Sequence, residues 1–176
     1  MGHAAEPGLL CLGIDPGLAR LGYALVRQSG SVVRAVAFGC VVTSPDMPFT
    51  QRLLHLYDSI EERAFRVDGE RPDFMCVERL FFGQNRTTAE FVWQARGVVM
   101  LLAAQKGLEV LEPKPSQVKL AVCGAGNADK TQVQRMVQRL LALGEMPRPD
   151  DAADALAIAL TGLAYYRHER ITGGSL

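Results

Sequence analysis

Apolar segments and turn signals alternate along the first part of the chain. Short runs rich in Leu, Val and Ile are separated by Pro16-Gly17 and by Ser29-Gly30. Runs of this length bounded by Gly, Pro or Ser are typical of β-strands. The pattern therefore predicts three consecutive strands, at residues 9–15, 21–27 and 32–43.

Further along the chain, apolar side chains recur every three or four positions, which places them on one face of an α-helix. Helices are predicted at residues 49–67, 87–106 and 130–143, and from Asp150 or Asp151 to about residue 168. The runs FMCVE and LEVLE predict a fourth and a fifth strand, at residues 74–78 and 108–112. The predicted order is β-β-β-α-β-α-β-α-α.

The chain has 176 residues, of which 48% are hydrophobic, so it can bury one substantial core but is short for two domains. Three opening strands followed by alternating helices and strands indicate an α/β fold. We expect a five-stranded mixed sheet flanked by helices on both faces. A single domain is predicted for residues 1–176, with an ordered core of about residues 9–168 and frayed ends.

Targeting signals and cysteine motifs are missing from the sequence. No basic segment followed by an apolar run marks a secretory signal, and the apolar run 98–104 is far shorter than the roughly 20 residues that a membrane span needs. The four cysteines form no C-x-x-C pair, which argues against a zinc site or a disulfide framework. We expect a cytoplasmic protein with no membrane association.

Charge is balanced over the whole chain, with 19 basic and 19 acidic residues, but it is not evenly distributed. Residues 114–139 carry five basic side chains and one acidic one, whereas residues 58–73 carry six acids and three arginines. A polarised chain of this kind can bind a polyanion on one face and still be neutral overall.

Four carboxylates stand at the ends of apolar elements. Asp15 ends the first strand, Glu78 ends the fourth, and Asp151 and Asp154 share one face near the start of the last, apolar helix. Clustered carboxylates repel each other unless a cation neutralises them, and Mg²⁺ suits an all-oxygen shell. If the four meet, two Mg²⁺ ions bound there can catalyse phosphodiester hydrolysis.

Each acid also has a structural interpretation. Asp15 precedes Pro16-Gly17 and favours such a turn, and Glu78 can pair with Arg79 or another surface arginine. The acids of the last helix can act as its N-cap and as first-turn charges that complement the helix dipole. Their joint placement at the ends of core elements favours the metal site over these separate explanations.

Five sequence strings, taken in order and spacing, resemble the RuvC family of Holliday-junction resolvases over about residues 9–168. The strings are LGIDPGLARLGYALV, CVERLFFGQNRTT, QARGV, PSQVKLAVCGAGNADKTQVQRMV and DDAADALAIAL. The resemblance implies a ribonuclease H-like fold and a homodimer that makes symmetric paired nicks in four-way DNA junctions during recombination and DNA repair. It also implies 5′-phosphate and 3′-hydroxyl product ends, two Mg²⁺ ions per subunit with Mn²⁺ as an alternative, and association with the RuvA-RuvB branch-migration complex.

The resemblance assigns catalytic and metal-binding roles to Asp15, Glu78, Asp151 and Asp154. The doublet Asp150-Asp151 leaves the register of the third acid open. Asp151 is chosen because the family pattern places an acid three positions before the final Asp; some family members carry histidine there.

DNA-binding roles are implied for Phe81, Phe82, Lys119 and Lys130. In the family, an aromatic at the position of Phe81 stacks on a base near the junction centre, while the two lysines match residues that contact phosphates near the scissile bond. Both rings can instead fold back onto the core or a dimer interface. Arg135 and Arg139 are interpreted as a solvated helix face outside the site.

Homodimerisation is predicted to use the second helix, through Phe91, Val92, Trp93, Val98 and Leu101.

The sequence leaves three rival functions open. One is an actin- or sugar-kinase-like phosphotransferase, because residues 15–22 also fit its phosphate-binding hairpin, but the chain lacks the second Asp-x-Gly hairpin and the two related halves of such enzymes. The others are a junction-binding protein without catalysis and a ribonuclease-H-like factor that processes RNA. The four intact carboxylates disfavour an inactive binder.

Overall fold

A computed structural model describes residues 8–65, 71–80 and 86–172. The strands are β1 (Leu9–Asp15), β2 (Arg20–Ser29), β3 (Val32–Val42), β4 (Phe74–Val77) and β5 (Glu109–Leu111). The helices are α1 (Phe49–Phe65), α2 (Arg86–Lys106), α3 (Pro115–Cys123), α4 (Lys130–Leu140) and α5 (Asp150–Thr172).

The five strands form one mixed sheet in the order β3-β2-β1-β4-β5. β1, β2 and β3 are antiparallel neighbours, whereas β4 runs parallel to both β1 and β5. Parallel pairing of β1 and β4 brings the carboxyl ends of these two strands to the same edge. The sheet confirms the predicted fold class.

Side chains alternate between the two faces of the sheet, as the pleat of a strand requires. On β1, Leu10, Leu12 and Ile14 join one buried cluster, while Cys11 joins a second cluster on the opposite face. Residues from α1 and α2 complete the first cluster, and residues from α3, α4 and α5 complete the second. Helices therefore cover both faces of the sheet, as the sequence predicted.

α5 approaches the sheet unusually closely because glycines face it. A Cβ added at Gly13 would lie 2.4 Å from the carbonyl oxygen of Ala155, and one added at Gly22 would lie 2.0 Å from that of Asp151. Real Cβ atoms essentially never come this near a backbone atom. The glycines of β1 and β2 thus fix how far the start of α5 stands from the strand ends.

α3 corrects the predicted order of elements, which placed a loop between the fifth strand and the helix at residue 130. The helix begins at Pro115, ends at Cys123 and is capped by Gly124, whose φ is 73°. Pro near the start and Gly just past the end are common helix boundaries. The nine-residue length left too few apolar repeats for its periodicity to stand out.

The other elements were predicted correctly in type and place, with small differences at their ends. α5 extends to Thr172 rather than 168, and α4 ends at Leu140 rather than 143. The predicted end of the first helix at residue 67 lies outside the described residues. All four cysteines are free thiols. Within the described part of the chain, no helix is long and apolar enough to cross a membrane.

Candidate active site

Asp15 and Glu78 extend two neighbouring parallel strands in the same register. Ile14 pairs with Val77, so the next residue on each strand is one of the two acids. By alternation Asp15 shares the face of Cys11 and Glu78 that of Cys76, and both cysteines belong to the cluster beneath α5. The two carboxylates therefore lie at one sheet edge on the side that α5 covers.

α5 brings Asp154 to the same place. Asp154 lies in the second turn of the helix, immediately before the buried run from Ala155 to Ala159. The close packing of Gly13 against Ala155 holds this turn against the end of β1. Asp15, Glu78 and Asp154 consequently line one cavity of about 270 Å³.

Two lysines line the same cavity, and both come from helices that follow β5. Lys119 lies on α3, and Lys130 is the first residue of α4. Asp129 caps α4 by accepting a hydrogen bond from the backbone N–H of Gln132, and the Gln132 side chain accepts one from the Asp129 N–H. This reciprocal cap fixes the start of α4 and with it the position of Lys130.

Lys130 bridges two acids at the start of α5. Its Nζ lies 3.3 Å from Oδ2 of Asp154 and 3.2 Å from Oδ2 of Asp150. Asp150 is exposed and also accepts a hydrogen bond from Gln134. The hydrogen bonds from Lys130 and Gln134 lower the pKa of Asp150. The Asp150 carboxylate therefore lies at the surface, whereas Asp154 lines the cavity.

Asp151 lies beside the cavity rather than in its lining. Its Oδ2 accepts a hydrogen bond of 2.7 Å from Nε of Arg20, at the start of β2. Both residues line an adjoining open cleft of about 740 Å³. Asp151 nevertheless stands close enough to raise the pKa of Asp15 through charge repulsion. Three of the four predicted acids thus share a cavity, and the fourth borders it.

Burial and mutual repulsion make the cavity acids hard to ionise. Burial, followed by repulsion from Asp154, Glu78 and Asp151, raises the pKa of Asp15 from 3.8 to about 7, although Lys130 opposes the shift. The same arrangement makes the site attractive to a cation, because a bound positive charge removes both penalties.

Glu78 and Asp154 follow the same rule. Burial and then repulsion from Asp154 raise the pKa of Glu78, with Lys119 opposing. Burial also raises the pKa of Asp154, and the charge and hydrogen bond of Lys130 act in the opposite direction. The two lysines thus compensate only part of the acidic charge of the cavity.

The donor set fits a hard divalent cation, since carboxylate oxygens are the ligands that Mg²⁺ and Mn²⁺ prefer. Within the part of the chain that the structure describes, however, no three Asp, Glu, His or Cys side chains are already arranged closely enough to hold a metal ion. Arg20 holds Asp151 and Lys130 holds Asp154. A cation that bound these two acids through the same oxygens would therefore have to displace Arg20 and Lys130.

The structural alternatives for the acids account for them only in part. Among the side chains that the structure describes, none donates a hydrogen bond to the Asp15 carboxylate that would support a turn role, and none, Arg79 included, forms an ion pair with Glu78. The first-turn position of Asp151 agrees with the helix-dipole explanation, but its side chain pairs with Arg20. Turns and surface pairs thus do not explain Asp15 and Glu78, whereas Asp154 does form an ion pair, with Lys130.

Phe81 and Phe82 lie outside the described residues, so their predicted role in DNA binding stays a prediction. Arg135 and Arg139 are exposed on α4 and do not line the cavity, in agreement with a solvated face. Sequence reasoning missed Arg20 as a partner of Asp151. The sequence places Arg20 within the Asp15–Gly22 segment. Its partner Asp151 lies 131 positions away, so no local pattern predicts the pair.

Comparison with known proteins places the chain among nucleases. The family model described as crossover junction endodeoxyribonuclease RuvC matches residues 11–162. The chain is 52% identical over 152 residues to the crossover junction endodeoxyribonuclease RuvC of Desulfitobacterium hafniense (strain DSM 10664 / DCB-2), covering 86% of this chain and 90% of that protein. It is 48% identical over 162 residues to that of Pelotomaculum thermopropionicum, covering 92% and 97%.

Among solved structures, the chain is similar to T. thermophilus RuvC in complex with Holliday junction substrate. The TM-score is 0.84 at 37% sequence identity, over 91% of this chain and 96% of that one. Sheet order and this similarity define a ribonuclease H-like fold, in the class of divalent-metal-dependent nucleases. The chain belongs to the RuvC family of crossover junction endodeoxyribonucleases.

Proposed function

We propose that the protein cuts four-way DNA junctions by Mg²⁺-dependent hydrolysis of phosphodiester bonds, with Asp15, Glu78, Asp151 and Asp154 holding the ions. The observation that carries the proposal is the cavity in which Asp15, Glu78 and Asp154 meet two lysines. Acids whose pKa values are raised by burial and by mutual repulsion are suited to cation binding.

Two Mg²⁺ ions per subunit, when bound, supply the charge that activates water and stabilises the leaving oxygen in phosphodiester hydrolysis, and Mn²⁺ meets the same ligand preferences. The chain's own residues fix the geometry. Asp15 and Glu78 are held by adjacent strands, and Asp154 by a helix packed directly on them. This frame would position the ligands, and a bound cation would favour the ionised form of the Asp15 carboxyl.

Lys119 and Lys130 are proposed to bind phosphates near the scissile bond. Both line the cavity, and each partly offsets the repulsion between its acids. A water oxygen bonds to phosphorus and the bond to the 3′-oxygen breaks, with a proton passing to that oxygen. The products are a 5′-phosphate and a 3′-hydroxyl end.

Symmetric nicks in a junction need two active sites, so we propose a homodimer. The predicted interface on α2 is supported by two large apolar side chains that face solvent, Phe91 at 41% and Leu101 at 55% exposure. Phe81 and Phe82, which follow the cavity acid Glu78 in sequence, are proposed to stack on bases near the junction centre. We also propose a cytoplasmic site of action and, from the resemblance to the RuvC family, cooperation with the RuvA-RuvB branch-migration complex.

A cleavage assay tests the proposal. Labelled four-way junction, linear duplex and structured RNA are incubated with the protein, with and without Mg²⁺. The expected result is paired nicking of the junction alone, only with Mg²⁺, and its loss in Asp15→Asn with junction binding retained. The matched control is Glu145→Gln, an exposed acid outside the cavity. Equal cutting of RNA or duplex, or full activity of Asp15→Asn, would refute the proposal.

A further inference from the structure

We infer that Arg20 is a positioning residue with two alternating partners: it holds the Asp151 carboxylate before a cation binds, and it binds a DNA phosphate once the cation has taken that carboxylate. This inference rests on the proposed metal-dependent cleavage of DNA. The proposed mechanism gives the Arg20 side chain no other role.

The geometry of the contact makes Arg20 a competitor of the cation. Nε of Arg20 lies 2.7 Å from Oδ2 of Asp151, which is the distance of a charge-assisted hydrogen bond. The Oδ2 lone pair that accepts this bond is not free for a metal ion. Cation binding by Asp151 through Oδ2 therefore competes directly with the Arg20 contact.

Because the Arg20–Asp151 pair is partly exposed, replacing it with a cation costs little free energy. The Arg20 side chain is 46% exposed and that of Asp151 is 23% exposed. Ion pairs in such surroundings contribute little net free energy, because water and salt screen them. The contact is therefore strong enough to orient Asp151 and weak enough for a divalent ion to displace it.

The adjoining cleft gives the released arginine a second partner. Arg20, Arg148 and Gln134 line this open cleft of about 740 Å³ together with Asp150 and Asp151. Before a cation binds, the charges of Arg20 and Asp151 compensate each other. Afterwards the guanidinium is left unpaired beside the cavity, where its fork of N–H donors suits a phosphate.

The exchange predicts that cation binding and DNA binding strengthen each other, since each ligand removes one partner of the same ion pair. Such coupling is reciprocal by thermodynamic necessity. Arg148 is the matched control, because it lines the same cleft but makes no ion pair with Asp151 or with any other side chain that the structure describes, although its charge lowers the pKa of the neighbouring Asp150. Its binding to DNA requires no contact with a candidate metal ligand to be broken.

The first experiment measures Mn²⁺ binding to the full-length protein without DNA, by electron paramagnetic resonance of the free ion. Arg20→Ala is expected to bind Mn²⁺ about twofold to fivefold more tightly than the parent, the range for releasing an exposed ion pair. The gain should exceed that of Arg148→Ala and disappear in an Asp151→Asn background. Arg20→Gln keeps a hydrogen-bond donor but loses the charge, so its affinity for Mn²⁺ should lie between those of the parent and Arg20→Ala. Melting temperatures confirm that each variant is folded.

The second experiment measures junction affinity against salt concentration, with Ca²⁺ or with EDTA, under conditions in which a denaturing gel shows no product. Arg20→Ala should lower the salt slope by about one phosphate's share with Ca²⁺ and leave it unchanged with EDTA. Arg148→Ala should have the same effect in both buffers.

The outcomes separate this inference from the function on which it rests. Weaker or unchanged Mn²⁺ binding in Arg20→Ala, or an equal loss of DNA affinity with and without Ca²⁺, would overturn the role of Arg20 while the nuclease proposal stood. If the parent binds no more Mn²⁺ than Asp15→Asn, the metal site itself is wrong and both proposals fall.

Discussion

Gly22 lies directly beneath the backbone of Asp151, so that a Cβ at position 22 would stand 2.0 Å from the Asp151 carbonyl oxygen. Gly22 is also the residue of β2 that pairs with Asp15 across the strands. One glycine therefore touches the helix that supplies two of the candidate ligands and pairs with the strand residue that supplies a third. Gly22 therefore sets the distance between the sheet and α5 at the place where the candidate carboxylates meet.

Gly22→Ala is expected to push the start of α5 away from the sheet, because the clash is with backbone and no side-chain rotation relieves it. We expect a loss of about 3 kcal/mol or more in the free energy of unfolding, at or above the usual range for overpacking. Urea denaturation measures this, and Mn²⁺ binding should weaken in parallel. Gly144→Ala is the control, since a Cβ there meets nothing within 4 Å. Equal stability of the two variants would show that α5 is not held by this contact.

The stability of the metal-free protein should fall as pH rises from about 4 to about 7. The pKa of Asp15 is 3.8 when unfolded and about 7 when folded, so the native state binds more protons across this window. The contribution of Asp15 to the free energy of unfolding is fully present below pH 4. It is lost as the pH rises through 7, and the loss amounts to about 4 kcal/mol. Burial and repulsion shift the pKa of Glu78 and Asp154 in the same direction.

Thermal melts in EDTA at pH 5 and pH 8 test this dependence. Asp15→Asn should melt higher than the parent at pH 8, and its melting temperature should fall less between the two pH values. Mg²⁺ should raise the melting temperature of the parent at pH 8 and have a smaller effect on Asp15→Asn. A variant that melts lower than the parent at pH 8 would indicate that the Asp15 carboxylate stabilises the fold instead.

Lys119→Ala should weaken junction binding, because it removes a positive charge from the cavity that is proposed to receive the scissile phosphate. The slope of the logarithm of affinity against the logarithm of salt concentration should fall by about one phosphate's share. Fluorescence anisotropy with a labelled junction gives this slope. Arg139→Ala, an exposed cation of α4 outside the cavity, should change it less. The same slope for Lys119→Ala and the parent would remove Lys119 from the DNA interface.

Leu101→Arg should convert a dimer to monomers, since it places a charge within the apolar surface proposed as the interface. Sedimentation equilibrium measures the mass, and paired nicking of a junction should be lost with it. Leu140→Arg is the control, because it makes the same substitution at a leucine of similar exposure, 46% against 55%. Leu140 lies on α4, on the opposite side of the sheet. A dimer that survives Leu101→Arg, or one that Leu140→Arg disrupts, would place the interface elsewhere.

Local sequence patterns predicted the elements and most of the site because both follow from short-range rules. Asp15 and Glu78 were recognisable as acids at the ends of apolar strands, and Asp154 as an acid on an apolar helix. The pairing of β1 with β4 depends on contacts between residues far apart in sequence, as does the ion pair of Arg20 with Asp151. The short helix α3, which carries Lys119, was missed because nine residues hold only two buried apolar positions, Val118 and Val122.

A crystal structure of the protein soaked in Mn²⁺, with anomalous scattering to locate the ion, tests most directly whether the carboxylates form a metal site. The account predicts Mn²⁺ in the cavity with Asp15, Glu78 and Asp154 as ligands, and Asp151 turned away from Arg20 toward the ions. A cavity without Mn²⁺, in which Lys130 still holds Asp154 and the ion binds only elsewhere on the surface, would contradict it.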